Sequence, residues 1–273
     1  MSREKMNCHP MKNNKKALIL AAGEGSRLHP LTLDRPKCLI DAGGQPLIDY
    51  QLDILRQQQY GDIVFIKGYL ADRLERPGAR YYTNSAFAET NMVWTLFCAR
   101  DEFDADLVVS YGDIAYGADA LRALDESSAD IAVVVDRLWH EYWQERYEDP
   151  LEDLETLRID GAGRIVDIGQ KPKSMDEIQG QYIGLMKFTQ RGLKALEEVF
   201  DEAVSSGVSI NGRAPEKAYM TDLLQAVINR GHSVVPVFID GGWVEVDTID
   251  DLNAPITQAR LSAIRQEQTK THG

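Results

Sequence analysis

Residues 17–40 read ALILAAGEGSRLHPLTLDRPKCLI. The apolar run Ala17–Ala22 has the length of a buried strand, and a glycine ends it. Gly23 and Gly25 leave the backbone uncovered beyond that strand, so that amide N–H groups are able to approach a polyphosphate closely. The stretch therefore predicts a buried strand followed by a phosphate-binding loop.

The spacing of this loop excludes two common phosphate-binding motifs. A P-loop needs a lysine directly after its second glycine, and no lysine stands in that register. A dinucleotide-binding fingerprint needs a third glycine three positions after the second, where this chain has Leu28. Arg27 and Lys37 bring fixed positive charge to the loop instead, which indicates a site that binds a polyphosphate.

Strand and helix patterns alternate through the first half of the chain. Short apolar runs predict strands at Ala17–Ala22, Asp62–Lys67, Leu107–Tyr111 and Ile131–Val135, and amphipathic stretches predict helices at Pro46–Gln58, Asn91–Arg100 and Ala118–Ser127. This order predicts an α/β fold, a Rossmann-like three-layer sandwich with a mainly parallel mixed sheet. Ligands of such sheets bind beyond the carboxyl ends of the strands, where the loop after Ala22 lies.

The pattern changes after Asp136. Residues 137–155 are rich in aromatic and charged side chains, and a Gly-Ala-Gly turn at 161–163 between two short apolar runs predicts a hairpin. We expect residues 137–188 to form an inserted lid within a single domain that spans residues 16–268, with residues 1–15 as a disordered tail. Further helices are predicted at Gly192–Ser205, at Tyr219–Arg230 and from Asp250 to about Gln268.

Composition limits the classes of partner. The chain has 273 residues, 44% of them hydrophobic, and a net charge of −13, which argues against nucleic acid or an anionic membrane surface. Residues 1–16 contain no apolar segment that would serve as a signal peptide or membrane span. The three cysteines lack the spacing of a metal or redox motif, which fits a reducing cytoplasm. Whether the chain forms a homo-oligomer stays open at this point.

Two aspartates end apolar strand patterns far apart in the chain. Asp113 ends LVVSYGD, and Asp247 ends GGWVEVD. Together they are able to hold Mg²⁺, which is usually bound by one or two carboxylates with phosphate oxygens and water. Each alone is equally well interpreted as a solvated strand end or a helix cap. Asp250 and Asp251 are predicted to be N-terminal helix residues rather than ligands.

The stretch from Leu20 to Ile40, together with Asp113 and Asp247, resembles the signature of the nucleotidyltransferases that activate sugar phosphates and small phospho-alcohols. Within that superfamily, the segments TNMVWTL at 90–96, GQYIGL at 180–185 and YMTDLLQ at 219–225 resemble cytidylyltransferases for phosphocholine, phosphonates or a phosphorylated amino acid. The resemblance implies transfer of CMP from CTP to a small phosphate or phosphonate acceptor, with Mg²⁺ as cofactor and release of pyrophosphate.

The resemblance also implies roles for single residues. Arg27 would bind the β- and γ-phosphates, Lys37 the α-phosphate in the transition state, and Asp113 with Asp247 the metal. Because a phosphate or phosphonate acceptor is already ionised near neutral pH, no general base is needed, and catalysis rests on positioning and positive charge.

The remaining candidates bind the nucleotide or the acceptor. Those expected to cradle the triphosphate are Leu20, Ala21, Ala22, Gly23, Glu24, Gly25 and Ser26. Asn84 and Asn91 are candidates for the base, although Asn91 is also interpretable as a helix brace, with Thr90 the more natural cap. Those assigned to the acceptor are Lys171, Tyr182, Trp139 and Asp222.

The identity of the acceptor stays open. Several aromatic side chains favour a quaternary ammonium such as phosphocholine, whereas Asp149, Glu152, Asp153 and Glu155 favour a primary ammonium. Gln170 precedes Lys171, and many sugar-phosphate enzymes have glutamate at the position of Gln170. Lys171 is alternatively interpreted as a lysine in a turn, without a role in binding the acceptor. Two further functions remain: a sugar-1-phosphate nucleotidyltransferase, and a non-catalytic nucleotide-binding regulatory subunit.

Overall fold

The structure is a computed structural model that describes residues 15–147, 149, 151 and 153–270. Its strands are β1 (Lys15–Ala21), β2 (Tyr60–Lys67), β3 (Ala79–Thr83), β4 (Leu107–Tyr111), β5 (Ile114–Tyr116), β6 (Ile131–Asp136), β7 (Leu157–Ile159), β8 (Ile165–Ile168), β9 (Gln181–Phe188), β10 (Val235–Ile239) and β11 (Trp243–Glu245). Its α-helices are α1 (Leu47–Gln57), α2 (Met92–Phe97), α3 (Ala118–Glu126), α4 (Trp139–Arg146), α5 (Gln190–Ser206), α6 (Met220–Asn229), α7 (Ile249–Asn253) and α8 (Pro255–Lys270). Residues 1–14 of the expected tail lie outside the described residues, and Lys15 already belongs to β1.

A seven-stranded sheet forms the centre of the molecule, in the order β10-β6-β9-β4-β1-β2-β3. β9 runs antiparallel to both β4 and β6, and the other neighbours in this sheet are parallel. Two small antiparallel ladders, β11-β5 and β7-β8, lie outside it. The predicted α/β fold with a mainly parallel mixed sheet is confirmed.

Helices cover both faces of the sheet because apolar side chains alternate along the strands. On β1, Ile19 packs into the core with α1, α3 and α8, whereas Leu18 and Leu20 pack into the core with α2, α5 and α6. This is the three-layer arrangement that the alternation of strands and helices predicts.

The inserted segment is shorter than predicted. Its hairpin forms as β7 and β8, and α4 precedes it. Residues 181–188, which we expected to belong to the lid, form β9 in the middle of the sheet. Gly184 interrupts the strand pattern there with a φ of +81°, where the ring of Tyr111 leaves no room for a Cβ.

Two helix boundaries also differ from the prediction. The last helix is two helices, because Pro255 begins α8 and disfavours a helical conformation at Ala254 before it. Asn91, not Thr90, caps α2, since its side-chain oxygen accepts the Met92 N–H at 2.8 Å. Among the described residues, no helix combines the length and the apolar character needed to span a bilayer.

The order of the strands determines where a ligand can bind. From β1 the chain proceeds to β2 and β3 on one side, and β4 then lies on the other side of β1. In sheets of this kind the crevice outside the carboxyl ends at such a reversal is the usual binding site. The loops that follow Ala21 and Tyr111 both start at this crevice.

Candidate active site

The glycine loop leaves β1 and folds back against Lys37. Gly25 has a φ of +67°, and a Cβ on it would lie 2.9 Å from the Lys37 Cβ, so that a glycine is required there. Gly23 is different, because a Cβ on it would meet nothing within 4 Å. Thr32 closes the loop by donating its hydroxyl hydrogen to the Gly25 carbonyl at 3.0 Å.

The same loop carries unused backbone donors. Within the described part of the chain, the amide N–H groups of Gly23, Glu24, Gly25 and Ser26 donate to no protein acceptor. The side of the loop at Gly23 opens into a cavity. Successive free N–H groups at the end of a strand make a site for an anion, as the sequence predicts.

Replacing Gly25 by alanine is expected to move Lys37 and to lower kcat about tenfold or more, because the new Cβ and Lys37 cannot both keep their positions. Gly78→Ala is the matched control: Gly78 also has a positive φ of +79°, but its Cβ would meet nothing within 4 Å. Both variants carry a backbone cost of about 1–3 kcal/mol in the free energy of unfolding. Equal kcat values for the two variants would contradict the contact with Lys37.

Four predicted site residues meet beyond the carboxyl ends of β1 and β4. The Lys37 Nζ donates to the Asp113 Oδ2 at 2.8 Å and also to the Asp247 Oδ1. An Arg27 terminal nitrogen lies 3.1 Å from the Asp247 Oδ2. The two aspartates therefore share one ammonium, and they lie close together although 134 positions separate them in the sequence. Arg27 remains largely exposed, whereas Lys37 is mostly covered.

The charges in this cluster stabilise one another. Burial alone would lower the pKa of the Lys37 ammonium, but Asp113 and Asp247 outweigh it and hold the pKa above its usual value. Burial would raise the pKa of Asp247, and the positive charges of Lys37 and Arg27 hold that pKa below its usual value instead. The Lys37 ammonium and the Asp247 carboxylate therefore each favour the charged form of the other.

The donor set fits a magnesium ion bound together with a nucleotide. The Asp113 Oδ1 is buried and has no hydrogen-bond partner among the described residues. In the same part of the chain, no group of three His, Cys, Asp or Glu side chains is placed to hold an ion. Two carboxylates with phosphate oxygens and water are the usual ligands of Mg²⁺. The predicted metal residues are thus brought together, and their binding of Mg²⁺ stays a prediction.

A first cavity of about 140 Å³ lies beside the glycine loop. Its walls are formed by Leu20, Ala22, Gly23, Phe87, Thr90, Asn91, Met92, Thr95, Tyr111 and Asp113. Asn91 caps α2 with its side-chain oxygen, and its side-chain nitrogen Nδ2 donates to no acceptor in the described chain. Both roles that we considered for Asn91 are therefore compatible with the structure.

Asn84 does not face this cavity. Its amide nitrogen donates to the hydroxyls of Thr90 at 2.8 Å and Thr95 at 3.0 Å, and its oxygen accepts the Ala86 N–H. The side chain is buried. Asn84 therefore braces the segment before α2, and its assignment to the base is not supported.

A second cavity of about 310 Å³ adjoins the aspartates on the side of α4 and β9. Its walls are formed by Met92, Tyr111, Trp143, Asp153, Glu155, Gln181, Tyr182, Ile183, Gly184, Tyr219, Thr221, Glu245 and Asp247. Tyr111 and Met92 line both cavities, so that the two are neighbours. This second cavity, the acidic cavity, is lined by the side chains of four acidic residues and by several aromatic rings.

Of the residues assigned to the acceptor, only Tyr182 lines the acidic cavity. Trp139 lies in the core with its ring against His140, and Trp143, one turn later in α4, faces the cavity instead. Asp222 is buried, where it accepts the Tyr219 N–H at the start of α6 and pairs with Arg213 at 3.0 Å. Lys171 is exposed, and its ammonium donates to the Leu151 carbonyl at 2.5 Å. None of these three side chains lines the acidic cavity, so that its walls do not support their assignment to the acceptor.

Sequence reasoning missed Glu245 as a site residue. It lies two positions before Asp247, and side chains at that spacing in an extended segment point to the same face, which is the signal that was available. Burial, with Asp247 nearby, raises the pKa of Glu245 to about 8. Burial, with Asp222 and Asp153 nearby, also raises the pKa of Glu155 to about 7.

The raised pKa of Glu155 predicts a dependence of stability on pH. A carboxyl group whose pKa is higher in the folded chain binds an extra proton there, so the free energy of unfolding falls as pH rises from about 4.5 to about 7. Glu155→Gln is expected to remove this loss, worth about 3 kcal/mol, and to raise Tm at pH 8 but not at pH 4. Thermal unfolding at both pH values tests it; the same change in Tm at both would contradict it.

Comparison with known proteins identifies the family. The model of the MobA-like NTP transferase domain matches residues 17–173, more than half of the chain. The chain belongs to this family. The transferase is 39% identical over 251 residues to CTP:phosphoglutamine cytidylyltransferase of Campylobacter jejuni, an alignment that covers 88% of this chain and 98% of that protein.

Other relatives match the transferase over shorter stretches or at lower identity. Choline-phosphate cytidylyltransferase of Streptococcus pneumoniae is 37% identical over 98 residues, which cover 34% of this chain and 43% of that protein. CMP-5'-(3-aminopropyl)phosphonate synthase of Streptomyces rubellomurinus is 27% identical over 236 residues, 76% of this chain and 36% of that protein. The transferase is thus an enzyme, a nucleotidyltransferase, and the resemblance on which the sequence analysis relied is confirmed.

Solved structures agree on the fold of the transferase. The inositol-1-phosphate CTP transferase of T. maritima superposes with a TM-score of 0.70 at 21% identity, covering 92% of this chain and 96% of that chain. The CTP:phosphocholine cytidylyltransferase of Streptococcus pneumoniae superposes with a TM-score of 0.68 at 22% identity, covering 91% and 99%. At these identities the likeness concerns the fold alone.

Proposed function

We propose that this transferase is a Mg²⁺-dependent cytidylyltransferase. It moves CMP from CTP to a small phosphate or phosphonate acceptor that carries a positively charged nitrogen, and it releases pyrophosphate. The observation that carries this proposal is the acidic cavity beside the cluster of Lys37, Asp113 and Asp247.

The reaction is a displacement at the α-phosphorus of CTP. An oxygen of the acceptor phosphate forms the new bond to that phosphorus, and the bond from it to the bridging oxygen of the β-phosphate breaks. Pyrophosphate leaves with the bonding electron pair. Because the attacking oxygen is already ionised, the enzyme has to bring anions together and to stabilise the negative charge that accumulates.

The residues of the cluster fit these tasks. The free amides at Gly23–Ser26 and the exposed guanidinium of Arg27 would hold the triphosphate, and the Lys37 ammonium would stabilise the charge at the α-phosphate. Asp113 and Asp247 would hold Mg²⁺. When bound, that ion neutralises phosphate charge and orients the triphosphate.

The acidic cavity supports an acceptor with a cationic nitrogen. Glu155 lines it without a side-chain partner in the described chain, and Asp153 accepts the Trp143 indole N–H at 3.1 Å. Carboxylates beside aromatic rings attract an ammonium group, whereas they repel an acceptor that is only anionic. A phosphate end directed to Lys37 and an ammonium end directed to Glu155 would fit this distribution of charge.

The named substrates of the relatives are consistent with this acceptor class. Phosphoglutamine, choline phosphate and 3-aminopropylphosphonate each combine a phosphorus oxyanion with a nitrogen that is cationic at neutral pH. The relative that is 39% identical across nearly its whole length uses CTP, which supports CTP as the donor here.

A second candidate is a sugar-1-phosphate nucleotidyltransferase. It is favoured by a match of 28% identity over 135 residues to the UTP--glucose-1-phosphate uridylyltransferase AglF of Haloferax volcanii. A neutral sugar offers no cation to the acidic side chains that line the acidic cavity, and Gln170 stands where many sugar-phosphate enzymes have glutamate. For these reasons we prefer the first candidate.

A pyrophosphate-release assay tests the proposal. CTP, UTP, dTTP, ATP and GTP are each combined with phosphocholine, 2-aminoethylphosphonate, 2-hydroxyethylphosphonate, phosphoglutamine and glucose-1-phosphate, with and without Mg²⁺. We expect turnover with CTP and an acceptor that bears an ammonium group, and none without the metal. The highest turnover with glucose-1-phosphate would favour the second candidate, and turnover unaffected by chelation would contradict the metal.

A further inference from the structure

Arg146, at the end of α4, connects the inserted segment to the loop that carries Asp247. Its side chain is fully buried among the rings of Tyr142, Trp143 and Tyr147, with its guanidinium 4.9–5.3 Å from their centroids. The Arg146 Nε donates to the Asp251 Oδ1 at 2.8 Å. A buried arginine held this firmly fixes the carboxylate that it binds.

Asp251 in turn holds the backbone of Asp247 by a hydrogen bond. Its second oxygen, Oδ2, accepts the Asp247 N–H at 3.1 Å, the Thr248 N–H at 2.8 Å and the Thr248 hydroxyl at 2.9 Å. Asp251 is itself buried. Arg146 thus determines the orientation of the carboxylate that holds the backbone of Asp247.

Further contacts join α4 to β11, the strand that precedes Asp247. The Tyr142 hydroxyl donates to the Glu245 carbonyl at 3.2 Å and accepts the Glu245 N–H at 3.1 Å. The Arg146 guanidinium also lies 3.4 Å from the Glu245 Oε2. Trp143, on the same helix, lines the acidic cavity. One helix therefore contacts both the proposed acceptor site and the loop of a proposed metal ligand.

We infer that Arg146 is a positioning residue: it acts through Asp251 to place Asp247, and it couples the acidic cavity to the metal site. This inference rests on the proposed Mg²⁺ site of Asp113 and Asp247. Without the planar guanidinium, the Asp251 Oδ1 loses its donor, and only the three hydrogen bonds to Oδ2 hold this carboxylate. The acceptor of the Asp247 N–H is then less firmly fixed. The Asp247 carboxylate then samples orientations that do not bind the metal.

The test compares Arg146→Lys with Arg260→Lys. Arg260 is a matched control, because its guanidinium also lies over the Tyr142 ring, at 4.2 Å, but donates to the Trp243 carbonyl and not to Asp251. The probe is Mn²⁺ in the presence of CTP, and its binding is followed by electron paramagnetic resonance. Thermal unfolding of each variant shows whether it folds.

We expect Arg146→Lys to weaken Mn²⁺ binding about tenfold or more and Arg260→Lys to change it less than twofold, although both variants unfold at lower temperature. Asp251→Asn, which keeps an oxygen at the cap but removes the charge, is expected to weaken Mn²⁺ binding as well, and it serves if Arg146→Lys does not fold. Wild-type affinity in both Arg146→Lys and Asp251→Asn, or equal loss in Arg260→Lys, would overturn the inference. Failure of the wild-type protein to bind Mn²⁺ with CTP would instead contradict the proposed metal site.

Discussion

Lys37→Ala is expected to lower kcat by about 10²–10³, because the variant lacks the positive charge that stabilises the α-phosphate in the transition state. The effect should fall on kcat more than on the KM for CTP, since Arg27 and the loop amides still hold the triphosphate. Steady-state kinetics with CTP and the preferred acceptor measure both constants. Lys37 lies between two carboxylates that fix its position.

Lys16→Ala provides the control for this variant. Lys16 is also a buried lysine that pairs with two carboxylates, those of Glu102 at 3.0 Å and Asp104 at 2.7 Å, but it lies at the start of β1. Its loss should lower the free energy of unfolding and leave kcat unchanged. If Lys37→Ala turned over as fast as the wild-type protein, Lys37 would have no catalytic role.

Asp247→Asn and Asp113→Asn should each lower kcat/KM by about 10² or more and raise the Mg²⁺ concentration needed for half-maximal rate, because an amide oxygen carries no charge for the ion. The larger effect is expected for Asp247, because both aspartates contact Lys37 but only Asp247 also contacts Arg27. Rates measured across a Mg²⁺ series separate weaker metal binding from slower chemistry.

Asp125→Asn is a suitable control for the aspartates. Asp125 has a side-chain exposure of 19%, close to 21% for Asp113 and 15% for Asp247. It binds Lys15 at 2.6 Å and the Tyr60 hydroxyl at 2.7 Å. Both residues begin strands, β1 and β2, so that Asp125 lies at the end of these strands away from the site. An unchanged requirement for Mg²⁺ in all three variants would remove the proposed metal site.

Local patterns were sufficient to predict the elements around the glycine loop. β4 begins and ends at the predicted residues, and β1 differs by one or two residues at its ends, because continuous apolar runs between polar turns are typical of buried parallel strands. β9 could not be recognised in this way. Gly184 breaks its alternation, and its partners β4 and β6 lie far from it in the sequence.

In the candidate site, too, local motifs predicted some features and not others. The loop residues and the two aspartates were identified by their motifs, but their contacts were not: Lys37 reaches Asp113 across 76 positions and Asp247 across 210. The sequence analysis assigns Trp139 to the acceptor, but an aromatic side chain in a sequence does not reveal which face of a helix it occupies. The position of α4 on the core decides that, with Trp139 inside and Trp143 at the cavity.

The place of β9 in the sheet has a consequence for where this protein can be divided. The family match stops at residue 173, whereas β6 pairs with β9 and β10, both of which follow that point. A fragment cut at the end of the match would leave β6 without either neighbour and would expose the apolar edge of β4. The matched segment is therefore not expected to fold on its own in this chain. β1 and β4, which precede the glycine loop and Asp113, lie in a sheet that is completed by a strand from outside that segment.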